Sequence, residues 1–380
     1  MKPVNVAMIG VGCISGIYLD NITKVFKDIK LIGVCDLVRE RAENAQKKYE
    51  IPKLYETMYD AFADPEVELV LNLTRPYEHF AVSKAALEAG KHVYSEKPLG
   101  ASLEEGQELV RIAQTKGLML GGAPDTFLGA GIQTCRRLID DGYIGDVVGS
   151  AAFMICRGHE SWHPDPDFYY QRGGGPLFDM GPYYITALIN LLGGIRSVYG
   201  YAYTSYPTRL ITANPHKGEI IKVNTPTHIE SFLHFDSGIT VSLLTSFDVY
   251  STRQTNIEIY GTKGTLYVPD PNCFGGNLVV GSGEVGAATA IVFHNGETGK
   301  DETYPVTFDY AENSRCLGLD DIAVAIETGR PGRTTFKQTF HVLEAMAGVL
   351  KSAETGEPYV MTSHFDREAP MDPTLPHGKL

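Results

Sequence analysis

The run Val4-Asn5-Val6-Ala7-Met8-Ile9-Gly10-Val11-Gly12-Cys13-Ile14-Ser15-Gly16 decides how the chain folds. A short apolar stretch stops at a glycine turn, and residues 17–26 then read as a helix. A buried strand, a Gly-rich turn and a helix are the opening of a nucleotide-binding βαβ unit. The first glycine permits the tight turn, and the second lets the backbone approach a pyrophosphate at the helix amino terminus. The turn departs from G-x-G-x-x-G at its third position, where Ser15 stands and Gly16 follows. Its meaning therefore depends on context. Residues 31–35 read as a second buried strand that ends in Asp36, where a carboxylate binds ribose hydroxyls and repels a 2′-phosphate. Leu37 beside it offers no compensating cation, which favours NAD over NADP, although Arg39 and Arg41 are near in sequence.

The alternation continues outward from this unit. Residues 39–49 form a charged amphipathic helix with Ala42, Ala45 and Tyr49 on one face. A strand at 69–73 leads to a helix at 81–89, which stops at Gly90. Residues 92–94 and 118–120 are further strands, separated by a helix at 103–115 that Gly117 closes. Such spacing implies a parallel, doubly wound sheet with right-handed crossovers over residues 1–123. Lys97, in Tyr94-Ser95-Glu96-Lys97-Pro98-Leu99, follows the fourth of these strands. A lysine there faces the crevice where such sheets bind ligands.

After Pro124-Asp125 the texture changes. A helix at 132–141 and a strand at 147–156 precede a loop rich in Gly, His and Pro over 158–176, then a helix at 178–192. Strands follow at 199–206, 229–235, 240–247, 256–260 and 265–268, with hairpin turns at Asp236-Ser237-Gly238 and Gly261-Thr262-Lys263-Gly264. Helices near 316–328 and 335–353 end this region. The fold class is therefore α/β: an N-terminal Rossmann sheet at 1–123, an α/β domain with a large, mostly antiparallel open sheet at 124–363, and an extended tail at 364–380. Helices cover one face of the open sheet, and a second subunit is the usual cover for the other. A homodimer or homotetramer through the C-terminal sheet is the expectation.

Bulk properties narrow the class. Of 380 residues, 43% are hydrophobic and 21% charged, as in ordinary globular proteins. A net charge of −13 argues against nucleic acid or an anionic membrane as partner, since both need a basic surface. No apolar run reaches the length of a membrane span, and the amino terminus does not read as a secretion signal. The six cysteines are scattered without a Cys-x-x-Cys pair, so neither a disulfide framework nor a zinc site is indicated, and a reducing cytoplasm is expected.

The assembled motifs resemble the Gfo/Idh/MocA oxidoreductases. They are Gly10-x-Gly12, Asp36, Asn72-Leu73-Thr74-Arg75-Pro76 with His79, Ala89-Gly90-Lys91-His92-Val93, Glu96-Lys97-Pro98 and Gly173-Gly174-Gly175-x-x-x-Asp179-x-Gly181-x-Tyr183. The resemblance spans nearly the whole chain, and the last two motifs in this order are specific. It implies a Rossmann domain followed by an open-sheet α/β domain, often dimeric or tetrameric, and oxidation of a sugar or cyclitol secondary alcohol or the reverse. It also implies cofactor contacts at Gly10, Gly12, Cys13, Ile14, Asp36, Thr74, Pro76, His79, Glu96 and Lys97.

Oxidising a CH–OH group moves hydride to nicotinamide while a base removes the hydroxyl proton. Family members commonly carry Asp-x-x-x-His, with the histidine as base and the lysine polarising the oxygen; here the histidine position is Tyr183. Branches resembling glucose–fructose oxidoreductase and dihydrodiol dehydrogenase share that tyrosine. Tyrosine titrates near about pH 10, and an adjacent ammonium lowers that value, so Lys97 and Tyr183 can form an acid–base unit. Asp179, one helical turn before Tyr183, is placed to bind a substrate hydroxyl or orient the lysine.

Another base is available in His159-Glu160-Ser161-Trp162-His163-Pro164, just before the Gly-Gly-Gly motif. His163 or His159 can stand in for the missing histidine, and Trp162 can stack on a sugar ring or aglycone or pack under the loop. Asp125 falls at the domain junction, either on substrate or at a hinge. No metal is expected, because His-Glu-x-x-x-His misses the zinc-helix spacing and Pro164 and Pro166 oppose a helix. Few cations lie in this region beyond Arg157 and Arg172, so a neutral polyol, sugar or glycoside is the expected substrate. Alternatives left by the sequence are a glycosidase-like enzyme using transient oxidation by held NAD, and a non-catalytic sugar or NAD sensor.

Overall fold

Strand β1 (Val4–Ile9) is almost wholly buried, as a strand covered on both faces must be, and it pairs in parallel on both sides. The computed structural model describes residues 2–276, 278–280, 283–285 and 290–380. From β1 the chain runs through α1 (Ser15–Lys24), β2 (Ile29–Cys35), α2 (Arg39–Tyr49), β3 (Lys53–Leu54), α3 (Met58–Ala63) and β4 (Leu69–Asn72). It continues through α4 (His79–Glu88), β5 (His92–Ser95), α5 (Leu103–Lys116) and β6 (Leu120–Gly122). The strands form one parallel sheet in the order β3-β2-β1-β4-β5-β6. The order reverses between β1 and β4, and that switch point opens a crevice at the carboxyl ends of the strands. The helices end where local chemistry dictates. Ser102 caps α5 by accepting from the Glu105 N–H, and Gly117 closes it in the left-handed conformation at φ 65°. Residues 50–68 carry β3 and α3, which have no apolar run to announce them; α3 starts at a capping box formed by Thr57 and Asp60.

The chain forms two compact units, and the first is not one continuous stretch: Met1–Leu128, Asn313–Leu343 and Asp372–Leu380 belong together. The sequence reading divided the chain once, near 123, and left 364–380 as a tail. Backbone bonds account for the returns to the first unit. Gly122 N–H donates to the Thr334 carbonyl at 3.0 Å, and Lys27 N–H to the Gly378 carbonyl at 3.2 Å. Residues 364–380 contain neither helix nor strand, yet Phe365 and Met371 are buried.

The second unit comprises Gly129–Glu312 and Glu344–Met371. It contains α6 (Ala130–Asp140), β7 (Val147–Ile155), α7 (Gly175–Asp179), α8 (Gly181–Leu192) and β8 (Ile195–Tyr203). The hairpin β9 (Thr208–Leu210) and β10 (Ile220–Lys222) precedes β11 (His228–Phe235), β12 (Thr240–Ser246), β13 (Ile257–Gly261) and β14 (Gly264–Val268). The short pair β15 (Leu278–Val280) and β16 (Gly283–Val285), then β17 (Ala290–Asn295), β18 (Lys300–Pro305) and β19 (Tyr359–Val360) complete it. The large sheet has the order β18-β17-β14-β13-β7-β12-β11-β8-β19, antiparallel at every step except β7–β12. Alternation along β11 buries Ile229, Ser231, Leu233 and Phe235 and exposes Glu230 and Phe232.

Two expectations needed correction here. The single helix at 178–192 is two helices broken at Met180, because Pro182 has no N–H to give and its ring clashes with the preceding turn. The strand reading also stopped at Val268. The structure adds β17 and β18, the latter a charged edge strand, Lys-Asp-Glu-Thr-Tyr-Pro, with no apolar pattern to read. Among the described residues no helix is long and apolar enough to cross a membrane.

Candidate functional site

In the first unit the glycine turn sits hard against the end of β4. Gly10 has φ +99°, and a Cβ there would lie 2.8 Å from the Leu73 carbonyl carbon and oxygen. Any side chain would be strained in conformation and in space. Gly12 is the opposite case, with nothing within 4 Å of where a Cβ would be. Helix α1 starts beyond it without a side-chain cap, leaving backbone N–H groups of its first turn for an anion. Asp36 braces the turn: one carboxylate oxygen accepts from Val11 N–H at 2.6 Å and the other from Val38 N–H at 2.7 Å. Each oxygen keeps a lone pair for a ribose hydroxyl. An open glycine, an uncapped helix start and a braced carboxylate fit the pyrophosphate and ribose of a nicotinamide dinucleotide. Cys13 is exposed and Ile14 is the residue preceding α1.

Around β4 and β5 the remaining candidates knit the strand ends together. Asn72 Oδ1 accepts from Thr74 N–H at 3.2 Å and from the Thr74 hydroxyl at 2.7 Å. Its amide donates to the His79 carbonyl and to Ser83 Oγ. Glu96 accepts from the Tyr18 hydroxyl at 2.7 Å and, through its other oxygen, from Lys97 N–H at 3.0 Å. Burial, then the Glu96 charge, pushes the Tyr18 phenol well above its ordinary pKa, so it stays a donor. Lys97 is half-buried at the carboxyl end of β5, and Pro76 is half-buried in the turn after β4.

Two candidates are buried and bonded within the first unit. His79 is buried, with Nδ1 2.8 Å from the Pro98 carbonyl and Nε2 3.0 Å from the Thr74 carbonyl. Its ring therefore ties two loops together. Asp125 is 1% exposed and accepts from Gly318 N–H at 3.0 Å. Gly318 lies in the first turn of the helix Leu317–Thr328, which has no side-chain cap from its own N-cap residue, so Asp125 satisfies an N–H there. Burial raises its pKa to about 6.

In the second unit β7, β8 and β12 all end at one sheet edge, as the pairings Ile155↔Ser246, Ser246↔His228 and His228↔Tyr203 require. The loops leaving that edge carry the candidates. Asp179 is the last residue of α7 and Tyr183 lies in the first turn of α8, so the break at Met180 separates them. His159 Nε2 is 3.2 Å from Asp179 Oδ2. Its ring packs against Tyr169 at 4.1 Å, Phe247 at 4.7 Å and the edge of Trp162 at 5.2 Å. His163 accepts through Nδ1 from Asp165 N–H at 3.0 Å, and burial lowers its pKa. Glu160 is drawn away from both histidines: it takes the Tyr170 hydroxyl and the Arg209 guanidinium. Among the described residues no three metal-ligating side chains converge.

Arg209 was missed in the sequence, and it organises this edge. Its buried guanidinium donates to Glu160 at 3.1 Å, to the Phe247 carbonyl at 3.2 Å and to Asp248. A buried cation is tolerable only with such partners. Glu160 lies in the loop after β7, Arg209 on β9 and Asp248 just past β12, and no local spacing links them.

Residues 4–122 match a family model described as an oxidoreductase family with an NAD-binding Rossmann fold, and residues 132–267 match the GFO/IDH/MocA C-terminal domain. The chain belongs to the Gfo/Idh/MocA oxidoreductase family. It is 27% identical over 264 residues to D-xylose dehydrogenase of Paenarthrobacter nicotinovorans, covering 66% of each chain, just under two thirds of that relative's length. It is 29% identical over 256 residues to trans-1,2-dihydrobenzene-1,2-diol dehydrogenase of Bos taurus, covering 67% of this chain and 70% of that one. An NAD binding oxidoreductase from Klebsiella pneumoniae shares the fold, with a TM-score of 0.78 at 20% identity over 94% of this chain and 98% of the other. Within this Gfo/Idh/MocA frame, the glycine turn, Asp36 and Glu96-Lys97 stand at strand ends of the first unit, and Asp179, Tyr183 and the loop histidines at one edge of the second.

Proposed function

We propose that this family member is an NAD(H)-dependent oxidoreductase moving hydride between nicotinamide and a ring secondary alcohol of a neutral sugar, glycoside or cyclitol. The observation that carries the reading is the approach of His159 Nε2 to Asp179 Oδ2 at 3.2 Å, at the sheet edge where Tyr183 opens α8. A nicotinamide cofactor, when bound, supplies the hydride acceptor. Lys97 polarises the reacting oxygen, and Tyr183 takes the hydroxyl proton. Asp179 orients a substrate hydroxyl, and His159 holds that carboxylate in place. His163 is the alternative proton acceptor, weakened by burial and by the bond its Nδ1 already accepts. The xylose and dihydrodiol dehydrogenases among the relatives support an alcohol substrate.

Two further observations support the details. Asp36 at the turn, with Arg39 committed to Glu43 and Glu56, favours NAD over NADP. Arg209 is neutralised by Glu160 and Asp248, so no surplus cation from it invites a phosphate, and a neutral substrate suits the edge. Six free thiols suit a reducing cytoplasm. A second copy of the chain is the partner we assign to the open sheet face, as a homodimer or homotetramer.

The test is a screen of neutral sugars, methyl glycosides and cyclitols, following NADH formation with NAD and NADP in parallel. We expect turnover with NAD, and a loss of roughly 10²- to 10⁴-fold in kcat for Lys97→Met and for Tyr183→Phe. Undiminished turnover in Lys97→Met would remove it from the chemistry. Substrate consumption without accumulating NADH would move the assignment to transient oxidation followed by elimination.

A further inference from the structure

Outside the groups assigned to chemistry, the same sheet edge carries exposed aromatic side chains. Trp162 is 61% exposed and Tyr250 is 77% exposed. The Arg157 guanidinium lies between two tyrosines, 5.2 Å from the ring centre of Tyr206 and 4.5 Å from that of Tyr250. The Arg157 side chain is 34% exposed, with the buried Nη1 paired to Glu160 at 3.9 Å. Arg157 leaves β7 two positions before His159, and Trp162 touches the His159 ring edge-on. The aromatic surface therefore begins one side chain beyond the histidine that meets Asp179.

Large rings held in water are costly unless something covers them, and Trp and Tyr combine a flat apolar face with a polar rim. The partly exposed Arg157 guanidinium beside these rings offers N–H donors and has no acceptor of its own to give. The flat C–H face of a pyranose, or an aryl ring, matches the first requirement. A hydroxyl, ring or glycosidic oxygen matches the second. A lone monosaccharide engaged at Asp179 leaves both unmet.

We propose that Trp162 and the Tyr206–Arg157–Tyr250 stack form a subsite for a second ring joined through a glycosidic oxygen, so that the preferred substrate is a glycoside and not a free monosaccharide. The inference rests on the ring-alcohol reading above and narrows its substrate class. Arg157 donates to an oxygen of the linkage or of the outer ring, and the aromatic faces stack on that ring. The charge balance of the edge stays unchanged, so the outer ring is neutral.

The experiment compares kcat/KM for NAD reduction on methyl, p-nitrophenyl and disaccharide forms of D-glucose and D-xylose, in both anomers. The wild-type enzyme is expected to prefer the two-ring substrates over the methyl glycosides by about tenfold. In Tyr250→Ala and Trp162→Ala that ratio falls towards one. A role in folding alone slows all substrates together and leaves the ratio intact, which overturns the subsite. Equal rates on methyl and two-ring glycosides in the wild type overturn it as well, while leaving ring-alcohol oxidation standing. No NADH from any of these compounds overturns the subsite, and the wider screen of sugars and cyclitols then decides the ring-alcohol reading. A preference confined to p-nitrophenyl glycosides, or to disaccharides, supports the subsite and names the outer ring as aryl or sugar.

Discussion

Asp125 is a carboxylate whose position serves architecture at a cost in charge. It is fully buried, with the Gly318 N–H as its hydrogen-bond donor, and burial holds its pKa at about 6 against an ordinary 3.8. The folded state keeps a proton that the unfolded chain has already released. Stability from this group is therefore greatest below about pH 4 and declines as pH rises through about 6, by roughly 3 kcal/mol in all. Asp125→Asn retains an acceptor for Gly318 and removes the titration. The variant should gain in urea midpoint over wild type at about pH 7.5 and lose that gain at about pH 4.5. A gap that does not change with pH would show that Asp125 does not titrate in this window. Residue identity alone did not reveal this. A lone Asp after Ala-Pro reads as well for substrate as for a cap, and the deciding N–H comes from a helix far along the chain.

At the scale of the element, the β1–α1 turn separates two uses of glycine. Gly10 is required by backbone conformation and by the Leu73 carbonyl, 2.8 Å from where a Cβ would sit. Gly12 faces open space and is required only if a ligand comes close. Gly10→Ala should lower the melting temperature of the cofactor-free protein, at a cost on the order of 1 to 3 kcal/mol. Gly12→Ala should leave that temperature unchanged and weaken NAD binding in a titration, because its methyl group occupies the space of a phosphate. Equal NAD affinity in Gly12→Ala and wild type would place the cofactor elsewhere. This element was legible because its signal is local: apolar run, glycine, helix, then an acid at the next strand end. The helix at 178–192 was legible in extent but not in continuity. Its apolar residues carry through Met180, and only the geometry of Pro182 against the preceding turn divides it.

For the whole molecule, the open face of the nine-stranded sheet is the surface proposed to meet a second copy of the chain. Tyr199, Tyr201 and Tyr203 project from one side of β8, and Phe232 on β11 pairs across from Tyr199; all four are exposed. Aromatic side chains at this density are those that protein interfaces bury. Wild-type protein should sediment as a dimer or tetramer, and Tyr201→Asp combined with Phe232→Asp should sediment as a single chain with its thermal unfolding intact. A wild-type monomer at micromolar concentration would leave that face without the partner assigned to it. The period-two alternation that exposes these rings was visible in the sequence; the pairing that lines them up was not.

Read alone, the sequence determined the alternating α/β opening, the parallel sheet, the mainly antiparallel second sheet and the family. Each rests on periodicity or on motifs whose members lie within a few residues of one another. Tertiary structure decided what depends on distant segments meeting. It returned Asn313–Leu343 to the first unit, gave His79 and Asp125 their buried hydrogen-bond partners, and set His159 rather than His163 against Asp179. It also gathered Arg209, Glu160 and Asp248 from three separate segments. Hydrogen bonds and ion pairs act over a few ångströms in space, and chain separation carries no trace of them until the fold brings the partners together.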